Sequence, residues 1–353
     1  MLEGHNPKIL LYLHLTSDCN LRCTYCYSGE KSPGRMTAET GRAAIDFFLS
    51  RTDCLDLRFF GGEPLLEFPL IKDLVHYAER RTLESRKALN KVIVTNGVLL
   101  SPEVADYCNA RRIEYSISFD GGPHAQDANR VYPSGAGSYA EIARNIPHIV
   151  RLKPYVHVVT VVRPNNVGYL AESVGNLLDL GIRNISFSPD FAHSDILGCL
   201  PLMEEAYGEV ARIYVERKKA GQAIFINAFA PAGSHFQRGR CKMGLEDFSV
   251  DIEGDIFPCC CFVDRKVYRL GNVREGVSPA GLEAFMRDRA LLDRHLEERH
   301  AQCPETSLCR KGCGCTNMVT SGKLDVVDAA VCEYGGFEDG IRRRVAAMLE
   351  NGL

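Results

Sequence analysis

Three cysteines, Cys19, Cys23 and Cys26, sit close together in the run Thr16-Ser17-Asp18-Cys19-Asn20-Leu21-Arg22-Cys23-Thr24-Tyr25-Cys26-Tyr27. Thiolates at this spacing bind metal, but three of them cannot close a four-coordinate centre. A structural zinc needs a fourth ligand, and the nearest candidate, His14, falls inside an apolar strand candidate rather than beside the loop. A four-iron four-sulfur cluster held by three cysteines instead leaves one iron open to an exogenous ligand. Nine further cysteines run from Cys241 to Cys332, whereas Cys54, Cys108 and Cys199 stand alone and read as buried structural thiols.

The elements that must position these thiols belong to a large globular chain. Of 353 residues, 45% are hydrophobic and 25% charged, a balance that excludes disorder and short disulfide scaffolds. The net charge of -3 gives no basic field for nucleic acid or an anionic membrane, so neither is expected as a partner. The first apolar run, Ile9 to Leu15, is too short for a signal peptide or a membrane span. A cytoplasmic chain is expected, in which cysteines bind metal rather than form disulfides.

Strand candidates are Ile9 to Leu15, Leu55 to Phe60, Lys91 to Thr95, Ile113 to Phe119, Val156 to Val162 and Ile185 to Ser188. Amphipathic helix candidates follow them: Ala38 to Leu49, Pro69 to Arg81, Pro102 to Asn109, Tyr139 to Arg151, Val167 to Asp179 and Met203 to Lys219. Six strands each followed by a helix predict an α/β fold with a parallel sheet, a partial (β/α)6 TIM-like barrel. Ligands gather at the carboxyl ends of such strands, and the unusual motifs fall there. The cysteine triplet follows strand one, Gly61-Gly62-Glu63-Pro64 strand two, Thr95-Asn96-Gly97 strand three, and Ser118-Phe119-Asp120-Gly121 strand four.

The cysteine run and the Gly-Gly-Glu-Pro motif together resemble the radical S-adenosylmethionine (SAM) enzymes. The resemblance implies that the open iron of a [4Fe-4S] cluster on Cys19, Cys23 and Cys26 chelates SAM, whose reductive cleavage yields a hydrogen-abstracting 5′-deoxyadenosyl radical. Tyr25 matches the position whose backbone meets adenine. Gly61 and Gly62 let backbone approach the methionine amino group, and Glu63 accepts from it. Ser118 and Asp120 match the ribose side, and Arg130 the arginine that pairs with the SAM carboxylate. Asn96 is a further SAM-facing candidate, or the first residue of an ordinary Asn-Gly turn.

Further along, twelve residues separate Cys241 from Gly254 and four separate Gly254 from Cys259, with an alternating pattern around Glu253-Gly254 that reads as a β-hairpin. This region resembles the SPASM extension of radical SAM enzymes, a small cysteine-rich iron–sulfur domain. The expected division is a core at 1–220 and the extension at 221–353. The resemblance implies two auxiliary [4Fe-4S] clusters, one on Cys241, Cys259 and Cys313, the other on Cys303, Cys309 and Cys332. His300 stands where the family has a cysteine, as a ligand or as a plain helix-end residue. Structural zinc could use many of the same thiolates. Cys260, Cys261 and Cys315 are surplus; one of them could fill the first auxiliary cluster, or its fourth iron could take a substrate thiolate.

SPASM enzymes mostly act on ribosomally made peptides or protein side chains. The expected function is therefore a peptide maturase, forming a thioether or carbon–carbon crosslink, an oxidised residue or an epimer. An anaerobic sulfatase maturase, which makes formylglycine, is the second reading. That group carries an extra cysteine where Gly233 to Arg240 offers none, and a catalytic Asp where this chain has Cys260. A thiol there could donate a hydrogen atom or ligate a cluster. The third reading is a non-catalytic iron–sulfur electron carrier. Expected partners are a precursor peptide or target protein and a flavodoxin- or ferredoxin-type reductant. The chain offers no room for a leader-recognition domain, so recognition is expected through a separate protein or by direct docking.

Overall fold

The computed structural model describes residues 8–29, 31–193, 195–230, 241–263, 265–300 and 313–350, without the side chains of 295–297, 299 and 300. In chain order the elements begin β1 (Ile9–Thr16), α1 (Ala38–Leu49), β2 (Cys54–Gly61), α2 (Phe68–Ser85), β3 (Ala88–Thr95), α3 (Pro102–Ala110), β4 (Glu114–Ser118), α4 (Pro123–Asp127) and α5 (Tyr139–Leu152). They continue with β5 (His157–Val162), α6 (Leu170–Asp179), β6 (Asn184–Pro189), α7 (Leu200–Lys219), β7 (Phe225–Ile226), β8 (Asp247–Val250) and β9 (Asp255–Phe257). The last are β10 (Gly271–Asn272), β11 (Gly276–Val277), α8 (Pro279–His300), α9 (Gly314–Ser321) and α10 (Ala329–Glu350). The chain divides into two compact units, Met1–Arg22 with Cys26–Ser116 and Lys242–Asp288, and Cys23–Tyr25 with Ile117–Cys241 and Arg289–Leu353.

In the first unit the strands run β11-β10-β9-β8-β1-β2-β3-β4. β1 pairs in parallel with β2, from Ile9 opposite Leu55 to His14 opposite Phe60, and β2 pairs in parallel with β3. Alternate β1 residues Ile9, Leu11, Leu13 and Leu15 are fully buried, the period-two burial expected of a strand with helices on one face. α1 starts where Thr37 accepts the Thr40 amide, and it buries Ala44, Ile45 and Phe48. α3 starts on Ser101 with Pro102 in its first turn. These caps fix where the helices that follow β1 and β3 start.

The hairpin expected around Gly254 is present as β8 and β9, antiparallel, with Gly254 at φ 90. Its first strand also pairs in parallel with β1, from Leu10 opposite Asp247 to Leu13 opposite Val250. Sequence reading places this hairpin in the extension; in the structure it is hydrogen-bonded onto the sheet that carries the cysteine loop.

The second unit carries β5, β6 and β7 in parallel. The end of β4 is held beside β5 there, Phe119 donating to the Val159 carbonyl at 3.0 Å. Along α5, Ile142, Ile146 and Ile149 are buried at helical spacing, and the Tyr207 hydroxyl of α7 meets that of Tyr334 of α10 at 2.9 Å. The six expected strands are all present, each followed by a helix. The five-residue α4 and the short β7 are additional.

Candidate active site

The first-unit part of the site is built by backbone. Gly62 donates to the Thr16 carbonyl at 2.8 Å and Glu63 to the Asp18 carbonyl at 2.9 Å, so the turn after β2 is bonded to the residues leading into Cys19. Gly61 sits at φ 128, where a side chain is strained, and a Cβ on it would lie 2.4 Å from the Thr16 carbonyl oxygen. At Gly62 the added Cβ would lie 1.9 Å from the Asp18 carbonyl oxygen. The close approach that these glycines permit is thus to the chain's own cysteine loop. Gly62→Ala must displace backbone on one side or the other, and is expected to lower stability by about 2 kcal/mol or more. Urea unfolding checks this, and iron per chain after anaerobic reconstitution should fall with it.

Glu63 is fully buried. Its carboxylate accepts from the Leu65 amide at 3.0 Å, the Thr95 hydroxyl at 2.8 Å and the Asn96 amide at 2.8 Å, joining the turns after β2 and β3. Burial pushes its pKa up to about 7 against the pull of those three donors. Asn96 forms the turn that its sequence allows and also reaches the cysteine loop. Its side-chain oxygen accepts the Val98 amide at 3.0 Å, closing the turn, while its amide nitrogen reaches Asn20 at 2.8 Å and the Cys19 sulfur at 3.7 Å.

The loop thiols suit iron. Cys19, Cys23 and Cys26 are all outside disulfides. Burial raises Cys19. Burial also opposes ionisation of Cys26, but Lys31 at 3.0 Å and Ser28 at 3.3 Å outweigh it and hold that thiol below its ordinary range. A ready thiolate on an exposed loop fits a cluster ligand. His14 lies within β1, buried and edge-on to Phe60 at 5.1 Å, and burial depresses it to about 4. As expected, it is a strand residue rather than a loop residue.

In the second unit Tyr25, Asp120 and Arg130 form one cluster. Asp120, fully buried, accepts from the Tyr25 hydroxyl, from Arg130 at 3.1 and 3.3 Å, and from the Val161 amide at 2.9 Å. Burial works against the Arg130 charge, and the adjoining Asp120 more than restores it. Burial likewise pushes the Tyr25 phenol well up, so it stays protonated and donates. Ser118 closes β4, half-buried.

Sequence reading misses Arg163. Its guanidinium lies 5.4 Å from the centre of the Tyr25 ring, which Arg130 also faces at 5.0 Å. Arg163 reaches the Thr24 hydroxyl at 2.8 Å and pairs with Asp190 at 3.0 Å, while the Thr24 amide donates to the Asn129 carbonyl at 2.9 Å. Thr24 and Tyr25, between the second and third loop cysteines, are therefore held by three elements. The signal was available, because Arg163 follows the carboxyl end of β5.

Of the C-terminal candidates, Cys259 and Cys260 have sulfurs 4.0 Å apart. The neighbouring thiols of Cys259 and Cys261, then burial, push the Cys260 thiol well above its ordinary range. The Cys241 carbonyl accepts from the buried Arg289. Cys313 occupies the N-cap position of α9 without a side-chain cap bond, Cys315 is buried in the first turn of that helix, and Cys332 lies in the first turn of α10. His300 ends α8 with its side chain outside the described residues, and Cys303 and Cys309 lie outside them altogether. Among the described residues no helix is long and apolar enough to cross a membrane.

Comparison with known proteins agrees with this geometry. The radical SAM superfamily pattern matches residues 13–177. A cysteine-type anaerobic sulfatase-maturating enzyme of Clostridium perfringens is 23% identical over 343 residues, 87% of this chain and 89% of that protein. An uncharacterized protein of Methanocaldococcus jannaschii is 33% identical over 177 residues, 50% of this chain, and the chain spans 61% of that protein's length. Among solved structures, native anSMEcpe with bound AdoMet and Cp18Cys peptide has a TM-score of 0.78 at 19% identity, covering 98% of this chain and 99% of that one. That likeness shows the fold, an α/β partial barrel built on parallel strands. Residues 13–177 are accordingly a radical SAM domain, a domain whose chemistry uses SAM and a [4Fe-4S] cluster, and the chain is an enzyme related to the anaerobic sulfatase maturases.

Proposed function

We propose that this enzyme modifies a residue of a ribosomally made precursor peptide or of a target protein. One observation carries the reading. Similarity to a sulfatase maturase extends across 87% of the chain, well beyond the radical SAM domain of residues 13–177, and a solved structure of like fold holds AdoMet together with a peptide.

In this reading Cys19, Cys23 and Cys26 hold the cluster, which when bound and reduced supplies the electron that cleaves SAM. Glu63 accepts from the methionine ammonium, with Gly61, Gly62 and Asn96 fixing its turn. Ser118 and Asp120 take the ribose side and Arg130 the carboxylate. Tyr25, held by Arg130 and Arg163, presents its backbone to adenine. Cys241, Cys259 and Cys313, and Cys303, Cys309, Cys332 with His300, hold two auxiliary clusters in an extension over 221–353, beyond a core over 1–220. The reductant is of flavodoxin or ferredoxin type, the compartment is the cytoplasm, and a separate protein recognises the leader where the peptide does not dock directly.

Cys260 decides the outcome. A carboxylate in that place would act as a base toward formylglycine; a thiol would give a hydrogen atom to a substrate radical instead, inverting the centre when it delivers to the face opposite abstraction, and the thiyl radical left behind takes one electron from the reductant and one proton from solvent. The whole-length kinship keeps formylglycine formation as the second reading. Anaerobically reconstituted enzyme given SAM and dithionite should release 5′-deoxyadenosine. With a candidate precursor peptide in D2O, solvent deuterium in the peptide supports the thiol-donor route, and an aldehyde on a sulfatase-derived cysteine peptide supports the maturase. No 5′-deoxyadenosine from a fully iron-loaded enzyme would leave only an electron carrier.

A further inference from the structure

We propose that a basic cavity at the amino end of β3 binds a small oxyanionic ligand, a phosphate- or carboxylate-bearing molecule, away from the radical chemistry. The cavity measures about 450 Å³ and lies between the last turn of α2, the start of β3 and the turn ahead of β4. That volume suits a small metabolite. Its wall carries Lys87, Lys91, Arg111 and Arg112 against the single carboxylate of Glu79.

Glu79 does not neutralise this set so much as anchor part of it. One of its oxygens takes the Lys91 ammonium and the other takes Arg111 at 2.8 Å, so both cations are held in the wall by the same group. The Arg111 Nε is buried with no hydrogen-bond partner. The Arg111 guanidinium also meets the Tyr107 phenol, so it is fixed from two sides in the cavity wall and presents its charge there. Lys87 is tied to the Leu49 carbonyl at 2.6 Å and lies 4.0 Å from the Asp53 carboxylate, which leaves one of its three donors for a ligand.

Arg112 supplies the independent observation. It sits at φ 52, in the left-handed region where glycine is unstrained and an arginine is not. It is exposed and makes no ion pair among the described residues. Its side chain lines the cavity with the other three, and four cations around one opening form an anion-attracting field. β3 is eight residues long, which places this end of the strand roughly 25 Å from Thr95 and Asn96. An anion bound here therefore does not touch the SAM-facing residues of β2 and β3.

Calorimetry on the full chain, at fixed ionic strength, tests the assignment with two probes, inorganic pyrophosphate and citrate. Saturable one-to-one binding of pyrophosphate assigns a phosphate ligand, and of citrate a carboxylate ligand. Arg112→Gly removes the side chain while relieving the backbone, so the fold should survive, and Lys87→Met removes a second cation without touching Glu79. Each variant should weaken binding tenfold or more while 5′-deoxyadenosine formation stays unchanged. Failure of both probes to saturate at millimolar concentration, or affinity that is unaltered in both variants, overturns the proposal.

Discussion

Cys23→Ala is expected to abolish SAM cleavage. With three thiolates the loop can hold a cube with one open iron; with two it cannot, since the second open corner exposes the cluster to solvent and to loss of iron. Changing a residue that merely supports a metal ligand already lowers affinity or activity by 10- to 100-fold, so deleting a ligand should exceed about 100-fold. Iron and sulfide per reconstituted chain should drop by one cluster, and the paramagnetic signal should no longer change when SAM is added. Cys54→Ala is the internal control, because Cys54 belongs to β2 and to no cysteine motif, and its iron content should match the parent chain. Turnover by the Cys23 variant would remove the premise on which every SAM-facing role rests. A drop in the Cys54 variant as well would point to a general folding defect.

Local signals in the sequence carried the elements well, and long-range pairing was carried poorly. Ala38–Leu49 is legible to the residue because Thr37 is a cap and the apolar spacing is helical. α2 extends four residues past the expected Arg81 because its last turn is polar and its stop, Arg86 in the left-handed region, carries no glycine to announce it. β3 starts three residues early, at Ala88, where alternate residues are exposed and the apolar pattern has not begun. The hairpin could be read from Glu253-Gly254, yet its parallel pairing with β1 could not, because nothing local encodes a partner more than two hundred residues away. At the site, the motif glycines were legible as places of close approach, but not what they approach. Gly62 closes on Asp18, and Asn96 on Asn20. Arg163 was overlooked because an arginine in the sequence Arg163-Pro164-Asn165-Asn166 looks like turn chemistry, and only the fold brings it to Tyr25.

Glu63→Gln should abolish the pH dependence that this buried carboxyl gives to the free enzyme. Burial raises its pKa from 4.5 to about 7, which corresponds to about 3 kcal/mol. The sign follows from proton binding. Between 4.5 and about 7 the folded chain keeps this proton and the unfolded chain has released it, so stability falls as pH rises through that window. The loss is absent below 4.5 and complete above about 7. Glutamine carries no titrating proton, so the variant should lack this slope. It also replaces one acceptor by a donor facing the Asn96 amide or the Leu65 and Thr95 donors, an offset of about 1–3 kcal/mol that does not change with pH. The difference between the two proteins should therefore move by about 3 kcal/mol in favour of the variant from pH 5 to pH 8, whatever its absolute value. If Glu63 receives the SAM ammonium, binding selects the ionised carboxylate, so SAM affinity of the parent should climb with pH up to about 7 and that of the variant should be weaker and flat. Urea unfolding at the two pH values reads the first effect, and SAM titration of the iron-loaded enzyme the second. Parallel stability curves would show that the carboxyl is already ionised in the free chain. A pH-independent SAM affinity in the parent would show that the ammonium sits elsewhere.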